Sequence, residues 1–233
     1  MDKSVKYIVG IDEVGRGPIA GPVCVASFMV RRNYELPINN YEFKLPKLKD
    51  SKKLSKKQRE IWFNFLKGEK EKGNCDYAVS FVSSENIDKF GIAKCIQKAL
   101  DKSLSGITNQ DYKNFRRLTL KGSLPDNAIH MQAGDTSENF YDPDLYQIFL
   151  DGGLHAPKEF IHQETIIKGD ELHPIISMAS IVAKVSRDRI MTNYAVEYPE
   201  YGFERHVGYG TKAHYEAIKK HGQTKIHRKT FIH

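Results

Sequence analysis

Cysteine is scarce and scattered in this chain. Cys24, Cys75 and Cys95 are odd in number, far apart and never arranged as Cys-x-x-Cys, which excludes a disulfide framework and a zinc ribbon and fits reduced thiols in a cytosol. Long apolar runs are missing too, with nothing near the roughly 20 residues that span a bilayer. Met1-Asp2-Lys3 leads straight into a short strand pattern, so neither a signal peptide nor a membrane span is expected and the protein is read as cytoplasmic. Neither Gly-x-Ser-x-Gly nor a phosphate loop ending in Gly-Lys-Ser/Thr occurs, which removes the nucleophile-elbow hydrolases and the P-loop enzymes. Nine histidines are present, but pairs such as His214 and His221 do not reproduce His-Glu-x-x-His or a finger, and most are read as surface or capping residues. No internal repeat, coiled-coil heptad or low-complexity tract is present.

What remains is a chain of 233 residues, 40% hydrophobic, long enough to bury a substantial core as a single domain. The 36 basic side chains exceed the 29 acidic ones, giving a net charge of +7 and a pI near 9.1. Lysines crowd Lys44 to Lys57, and Lys219 to Lys229 is basic almost throughout, a distribution suited to a polyanionic partner.

Strand patterns run over Tyr7 to Ile11, Val23 to Val30 and Tyr77 to Val82. Ser55-Lys56-Lys57-Gln58 has capping-box spacing ahead of a helix whose buried stripe is Ile61, Trp62, Phe65 and Leu66. Ile92, Ile96, Ala99 and Leu100 recur at helical spacing, with Gly106 near the stop. Ile148-Phe149-Leu150 and Thr165-Ile166-Ile167 read as buried strands leading to Asp151 and Asp170. Ile175 to Met191 is a long helix candidate, and Thr211 and Gly222 bracket another whose Lys219 and Lys220 suit its negative end. Mixed strands and helices in this order indicate an α/β domain. Arg31 to Leu48 is a long polar hairpin or loop. An insertion without sustained periodicity occupies about 107–144, and a helical, basic C-terminal region begins near 192.

The run from Gly10 to Val23, Gly-Ile-Asp-Glu-Val-Gly-Arg-Gly-Pro-Ile-Ala-Gly-Pro-Val, carries the chemistry. A strand pattern ends in two adjacent carboxylates, then enters a glycine loop centred on one arginine, then a second strand pattern. Neighbouring carboxylates repel and cost desolvation at the end of a buried strand, an arrangement that a shared cation repays. A dinucleotide fingerprint is ruled out because that motif must open a helix, whereas Pro22 to Val30 is apolar and β-branched. Asp12, Glu13, Asp151 and Asp170 together supply the hard oxygen ligands that Mg²⁺ favours.

This run resembles the signature of the type 2 ribonucleases H, bacterial ribonuclease HII in particular. Further segments match in the expected order: Asp50 to Leu54, Phe149 to Gly152, Lys168 to Asp170, Ala179 to Asp188, Gly208 to His214 and Thr224 to Phe231. The resemblance implies a ribonuclease H-like mixed sheet flanked by helices, with a helical C-terminal region. It also implies an endonuclease that hydrolyses the RNA strand of RNA/DNA hybrids and incises 5′ to a ribonucleotide embedded in duplex DNA, leaving 3′-hydroxyl and 5′-phosphate ends. Asp12, Glu13, Asp151 and Asp170 match the catalytic, metal-holding tetrad for two Mg²⁺ or Mn²⁺ ions. Gly15, Arg16, Gly17 and Tyr209 match the positions that sense the RNA to DNA junction, and Lys52 and Lys53 are read as phosphate contacts. The chain departs from the pattern at Gly153, where many bacterial members have Asn, and Asp135, Asp142 and Asp144 rival Asp151 for the third position. Asp188 is read as structural, paired with Arg187 or Arg189 or capping a neighbour. Gln223, Ile226 and Phe231 lack the aromatic pair of a sliding-clamp peptide. A monomer is expected, since no apolar stripe is left over. The alternatives are a ribonuclease HIII-type hybrid nuclease, against which Gly15-Arg16-Gly17 argues, and a non-catalytic hybrid-binding module.

Overall fold

The computed structural model describes residues 5–34, 45–48, 51–120 and 142–232. Five strands form one mixed sheet in the order β3-β2-β1-β4-β5, built from β1 (Tyr7–Val14), β2 (Val23–Arg31), β3 (Cys75–Val82), β4 (Tyr146–Asp151) and β5 (Gln163–Ile166). β1 pairs antiparallel with β2 and parallel with β4. β3 closes one edge antiparallel to β2, and β5 closes the other parallel to β4.

Alternation along β2 assigns the two layers. Val23, Val25 and Met29 enter one apolar cluster with Ile87 of helix α2 (Ser84–Phe90) and with helix α3 (Ile92–Leu120), whereas Cys24, Ala26, Phe28 and Val30 enter the other, with α1 (Lys56–Glu71) and α5 (Pro174–Glu197). The strand is thus buried on both faces, which its nearly unbroken apolar run reflects. Ser27, in register with the α3 face, is satisfied by a 2.8 Å bond to Ser103.

The capping box at Ser55 forms as expected, with reciprocal bonds to Gln58 of 3.2 and 2.9 Å. Gly106 does not stop its helix: α3 continues to Leu120. A Cβ at Gly106 would lie 2.7 Å from that of Ala78, so this glycine permits close packing on β3. Residues 107–120 of the expected insertion are therefore helical. Asp135 lies outside the described residues, as does Asp50 and most of the expected loop after Arg31. β5 is half-buried rather than buried and ends before Asp170. That carboxylate sits instead in the first turn of a short helix, α4 (Gly169–Leu172). α5 runs to Glu197, past the expected start of the C-terminal region. After it, α6 (Phe203–His206), α7 (Lys212–His221) and the end of the chain pack around Ala20, Met191, Tyr201, Phe203 and Ile226.

One close approach sets the geometry of the site. A Cβ on Gly10 would lie 2.2 Å from the Ile175 carbonyl oxygen, so only glycine lets α5 lie this tightly on β1. Two residues on, Asp12 faces the same helix.

Candidate active site

Strand register brings the carboxylates together. Phe149 is opposite Gly10 and Leu150 opposite Ile11 in the parallel β1–β4 pair, so Asp151 continues toward Asp12 at the same end of the sheet. Oxygens of Asp12, Glu13 and Asp151 lie within 4.8 Å of one another. Asp170 stands beside this group, outside the three that meet within 4.8 Å, on α4, whose first turn is clamped by Asp151: Oδ1 accepts the Gly169 and Asp170 N–H groups at 2.7 and 3.3 Å. Asp142, by contrast, caps the turn before β4 through the Asp144 N–H, and neither competes with Asp151.

Burial and like charge act in the same direction here. Desolvation, then Glu13, Asp151 and Asp170, hold the Asp12 carboxyl well above its ordinary range, opposed by a hydrogen bond from Ser180. Ser180 is itself 2.7 Å from Ser51, so Ser51 donates to Ser180 while Ser180 donates to Asp12. Asp12 Oδ1 also accepts the Glu13 N–H at 2.7 Å. Glu13 is raised by burial and by Asp151, with Arg16 pulling the other way. Asp151 is raised by burial and by Asp170, against the two backbone donors.

These residues fit a divalent cation. Glu13 Oε2 is buried without a hydrogen-bond partner, a costly state for an acceptor of this charge unless a cation meets it. The donors are all carboxylate oxygens, the set that hard cations take. Lys52 already places its ammonium 3.1 Å from Asp170, and Lys53 lies 2.6 Å from Glu171. Both lysines thus border the acidic cluster.

The glycine loop continues directly from the carboxylates. Arg16 is largely exposed and reaches back to Glu13 at 3.7 Å. Gly15 has φ +90°, and a Cβ there would lie 2.3 Å from Arg187 Nε. Half-exposed Tyr209 lies beside the loop, its ring edge 3.9 Å from where a Gly17 Cβ would be.

Asp188 is structural as expected, but it pairs with Lys184 at 2.6 Å and Arg59 at 3.7 Å rather than with Arg187, which turns inward, or Arg189, which binds Glu60. Three further residues escaped the sequence reading. His214 and His227 are buried rather than at the surface, and Arg228, inside the basic C-terminal stretch, is fully buried. Composition cannot separate an inward-facing Arg or His from a solvated one.

The Ribonuclease HII family model matches residues 9–233. Ribonuclease HII of Endomicrobium trichonymphae is 38% identical over 230 residues, covering 99% of this chain and 87% of the relative. That of Clostridioides difficile strain 630 is 38% identical over 232 residues, covering 99% and 72%. Among solved structures, the PCNA:RNase HII complex from Archaeoglobus fulgidus contains a similar chain with a TM-score of 0.60 at 23% identity, covering 97% of this chain and 96% of that one. Bst-RNase HIII in complex with Mn²⁺ gives 0.58 at 16% identity, covering 97% and 67%. These likenesses show a ribonuclease H-like fold. Among the described residues no helix is long and apolar enough to cross a membrane. The sequence identity over the whole length establishes that the chain belongs to the ribonuclease HII family and is a ribonuclease H enzyme.

Proposed function

We propose that this enzyme hydrolyses the RNA strand of RNA/DNA hybrids and incises on the 5′ side of a ribonucleotide embedded in duplex DNA, leaving 3′-hydroxyl and 5′-phosphate ends. The observation that carries the reading is the continuity of the part-buried carboxylate cluster, with its unpartnered Glu13 oxygen, and the Gly15-Arg16-Gly17 loop, in which Gly15 is buried and Arg16 and Gly17 are exposed. Asp12, Glu13, Asp151 and Asp170 would hold Mg²⁺ or Mn²⁺. Two such cations supply activation of a water and neutralisation of charge on the departing 3′ oxygen. Asp12 is fixed by Ser180 and the Glu13 amide, and Asp151 by the α4 amides, so both offer preset oxygens.

Arg16, exposed beside Glu13, takes a phosphate oxygen. Lys52 and Lys53 add cationic character where the backbone passes. Gly15 and Gly17 let the main chain approach the ribose 2′-hydroxyl, the group that marks RNA in a duplex, and the Tyr209 ring stacks alongside. On this reading the enzyme works in the cytoplasm as a monomeric, single-domain catalyst.

The test is a labelled DNA duplex carrying one ribonucleotide, incubated with Mg²⁺ or Mn²⁺ beside a uniform RNA/DNA hybrid. Incision of both, with the stated ends, is expected. Cutting of the hybrid alone is the ribonuclease HIII-type outcome, and no incision with either metal refutes the reading.

A further inference from the structure

Two arginines at the heart of the loop are buried completely, and among the described residues both donate to backbone carbonyls only. Arg228 Nη2 reaches the Gly15 oxygen at 2.7 Å, Nη1 the Arg16 oxygen at 3.0 Å and Nε the Gly21 oxygen at 3.0 Å. Arg187 serves Pro22, Ala20 and Val207 at 2.9, 3.2 and 2.9 Å. Burying a cation away from carboxylates costs stability, and desolvation together with the neighbouring Arg187 pushes the Arg228 pKa down.

The bonds from Arg228 have a geometric consequence. Among the described residues no peptide is cis, and in a trans peptide the C=O of one residue and the N–H of the next point in opposite directions. With the Gly15 and Arg16 carbonyls drawn inward, the Arg16 and Gly17 N–H groups face outward. Two successive outward donors form a small concavity for an electronegative group.

The preceding residue, His227, is linked to Tyr209, whose ring lies beside the same loop. Thr224 N–H donates to His227 Nδ1 at 2.9 Å, so neutral His227 carries its proton on Nε2. That proton goes to His214 Nε2, 3.1 Å away, which leaves His214 protonated on Nδ1 and donating to the Tyr209 carbonyl at 2.9 Å. Every ring nitrogen in the relay has one defined role. His206, stacked on His214 with ring centres 4.4 Å apart, accepts from the Gly208 N–H and bonds the Tyr201 carbonyl. The strand bridge between Ala20 and His227, and the bond from Arg228 N–H to Ile19, tie the pair to the loop backbone.

We propose that the consecutive pair His227–Arg228 positions both neighbouring recognition elements, the Gly15-Arg16-Gly17 loop through Arg228 and Tyr209 through the His227–His214 relay, and so sets the preference for a lone ribonucleotide over uniform hybrid. Neither residue touches substrate; both are positioning residues. A lone ribonucleotide offers one 2′-hydroxyl and depends on both elements being in place, whereas uniform hybrid offers one at every register. The inference rests on the proposed substrate reading.

The test compares kcat/KM on the two duplexes for the full chain and for Arg228→Lys and His227→Ala. Lysine keeps the charge but, as a point donor, cannot span three carbonyls. For Arg228→Lys we expect a loss of about twentyfold or more on the lone-ribonucleotide duplex and less than about fivefold on hybrid, in line with the cost of a displacement near 1 Å. His227→Ala is expected to show the same bias and carries the test if the lysine variant does not fold. Melting curves and Mn²⁺-induced stabilisation close to the parent's show that fold and carboxylates are intact. Equal losses on both duplexes, no loss on either, or failure of both variants to fold overturns the proposal. If the parent cuts hybrid but not the lone ribonucleotide, the substrate reading itself fails, and the inference falls with it.

Discussion

Replacing Asp12 by asparagine is expected to stabilise the metal-free protein while destroying its response to metal. The residue is 3% exposed and shares its site with Glu13, Asp151 and Asp170, so its charge is opposed by burial and by like charges together. Asparagine has the same shape, and its amide can be housed. Its oxygen accepts the Glu13 N–H, its nitrogen donates to Ser180, and the Ser51–Ser180 bond, which either hydroxyl can donate, simply reverses. Removing a poorly compensated buried charge without opening a cavity is worth about 2 kcal/mol here, a modest part of the several kcal/mol that burying an ion costs. For a chain of this size each kcal/mol moves the melting temperature by about 2–4 °C, so the variant melts roughly 4–8 °C above the parent in EDTA. At a Mg²⁺ concentration near 100 times its dissociation constant the parent gains about 2.7 kcal/mol, and the order reverses if the variant no longer binds. Turnover on either duplex is expected to fall by several orders of magnitude, with duplex affinity within about tenfold, because the lost stabilisation belongs to the transition state. Melting curves with EDTA and with Mg²⁺, beside single-turnover cleavage, measure all three effects. A variant that melts below the parent in EDTA, or keeps the parent's Mg²⁺ shift, refutes the reasoning.

Arg16→Ala removes an exposed guanidinium and is expected to weaken binding to every duplex and lower the salt slope by about one counterion, as read by affinity titrations at several salt concentrations. Tyr209→Phe is expected to be mild and Tyr209→Ala severe on the lone-ribonucleotide duplex, with hybrid less affected; an equal loss on both would make the tyrosine a packing residue. Gly10→Ala drives a methyl into the Ile175 backbone, and urea melts are expected to show a loss of about 3 kcal/mol, with activity lost as α5 shifts away from Asp12. The folded-state pKa values of Asp12, Glu13 and Asp151 lie above their ordinary values. Their contribution to metal-free stability is therefore full below about pH 4 and is lost as pH rises through the elevated values. Melting in EDTA across that window should show the decline, and saturating Mg²⁺ should flatten it.

The sequence by itself determined the local elements and the chemistry of the first two carboxylates. Alternation and near-continuous apolar character marked β1 and β2, Ser55 with Gln58 marked the start of α1, and Asp12-Glu13 between a strand and a glycine loop marked an acidic site, because each signal lies within a few residues along the chain. The apolar pattern before Asp170 predicts a strand end, whereas the first turn of α4, clamped by Asp151, presents this carboxylate. The continuation of α3 beyond Gly106 was not legible either, since a glycine that ends a helix and one that lets it press on Ala78 look alike until the partner surface is known. Only the tertiary structure decided which cations face inward. His227 and Arg228 sit in a stretch that reads as basic surface and Arg187 in a helix pattern that leaves its direction open; the two arginines support the glycine loop from some 165 to 213 positions away, and His227 reaches Tyr209 through His214. Burial and hydrogen-bond partners across such separations are properties of packing, and no local pattern encodes them.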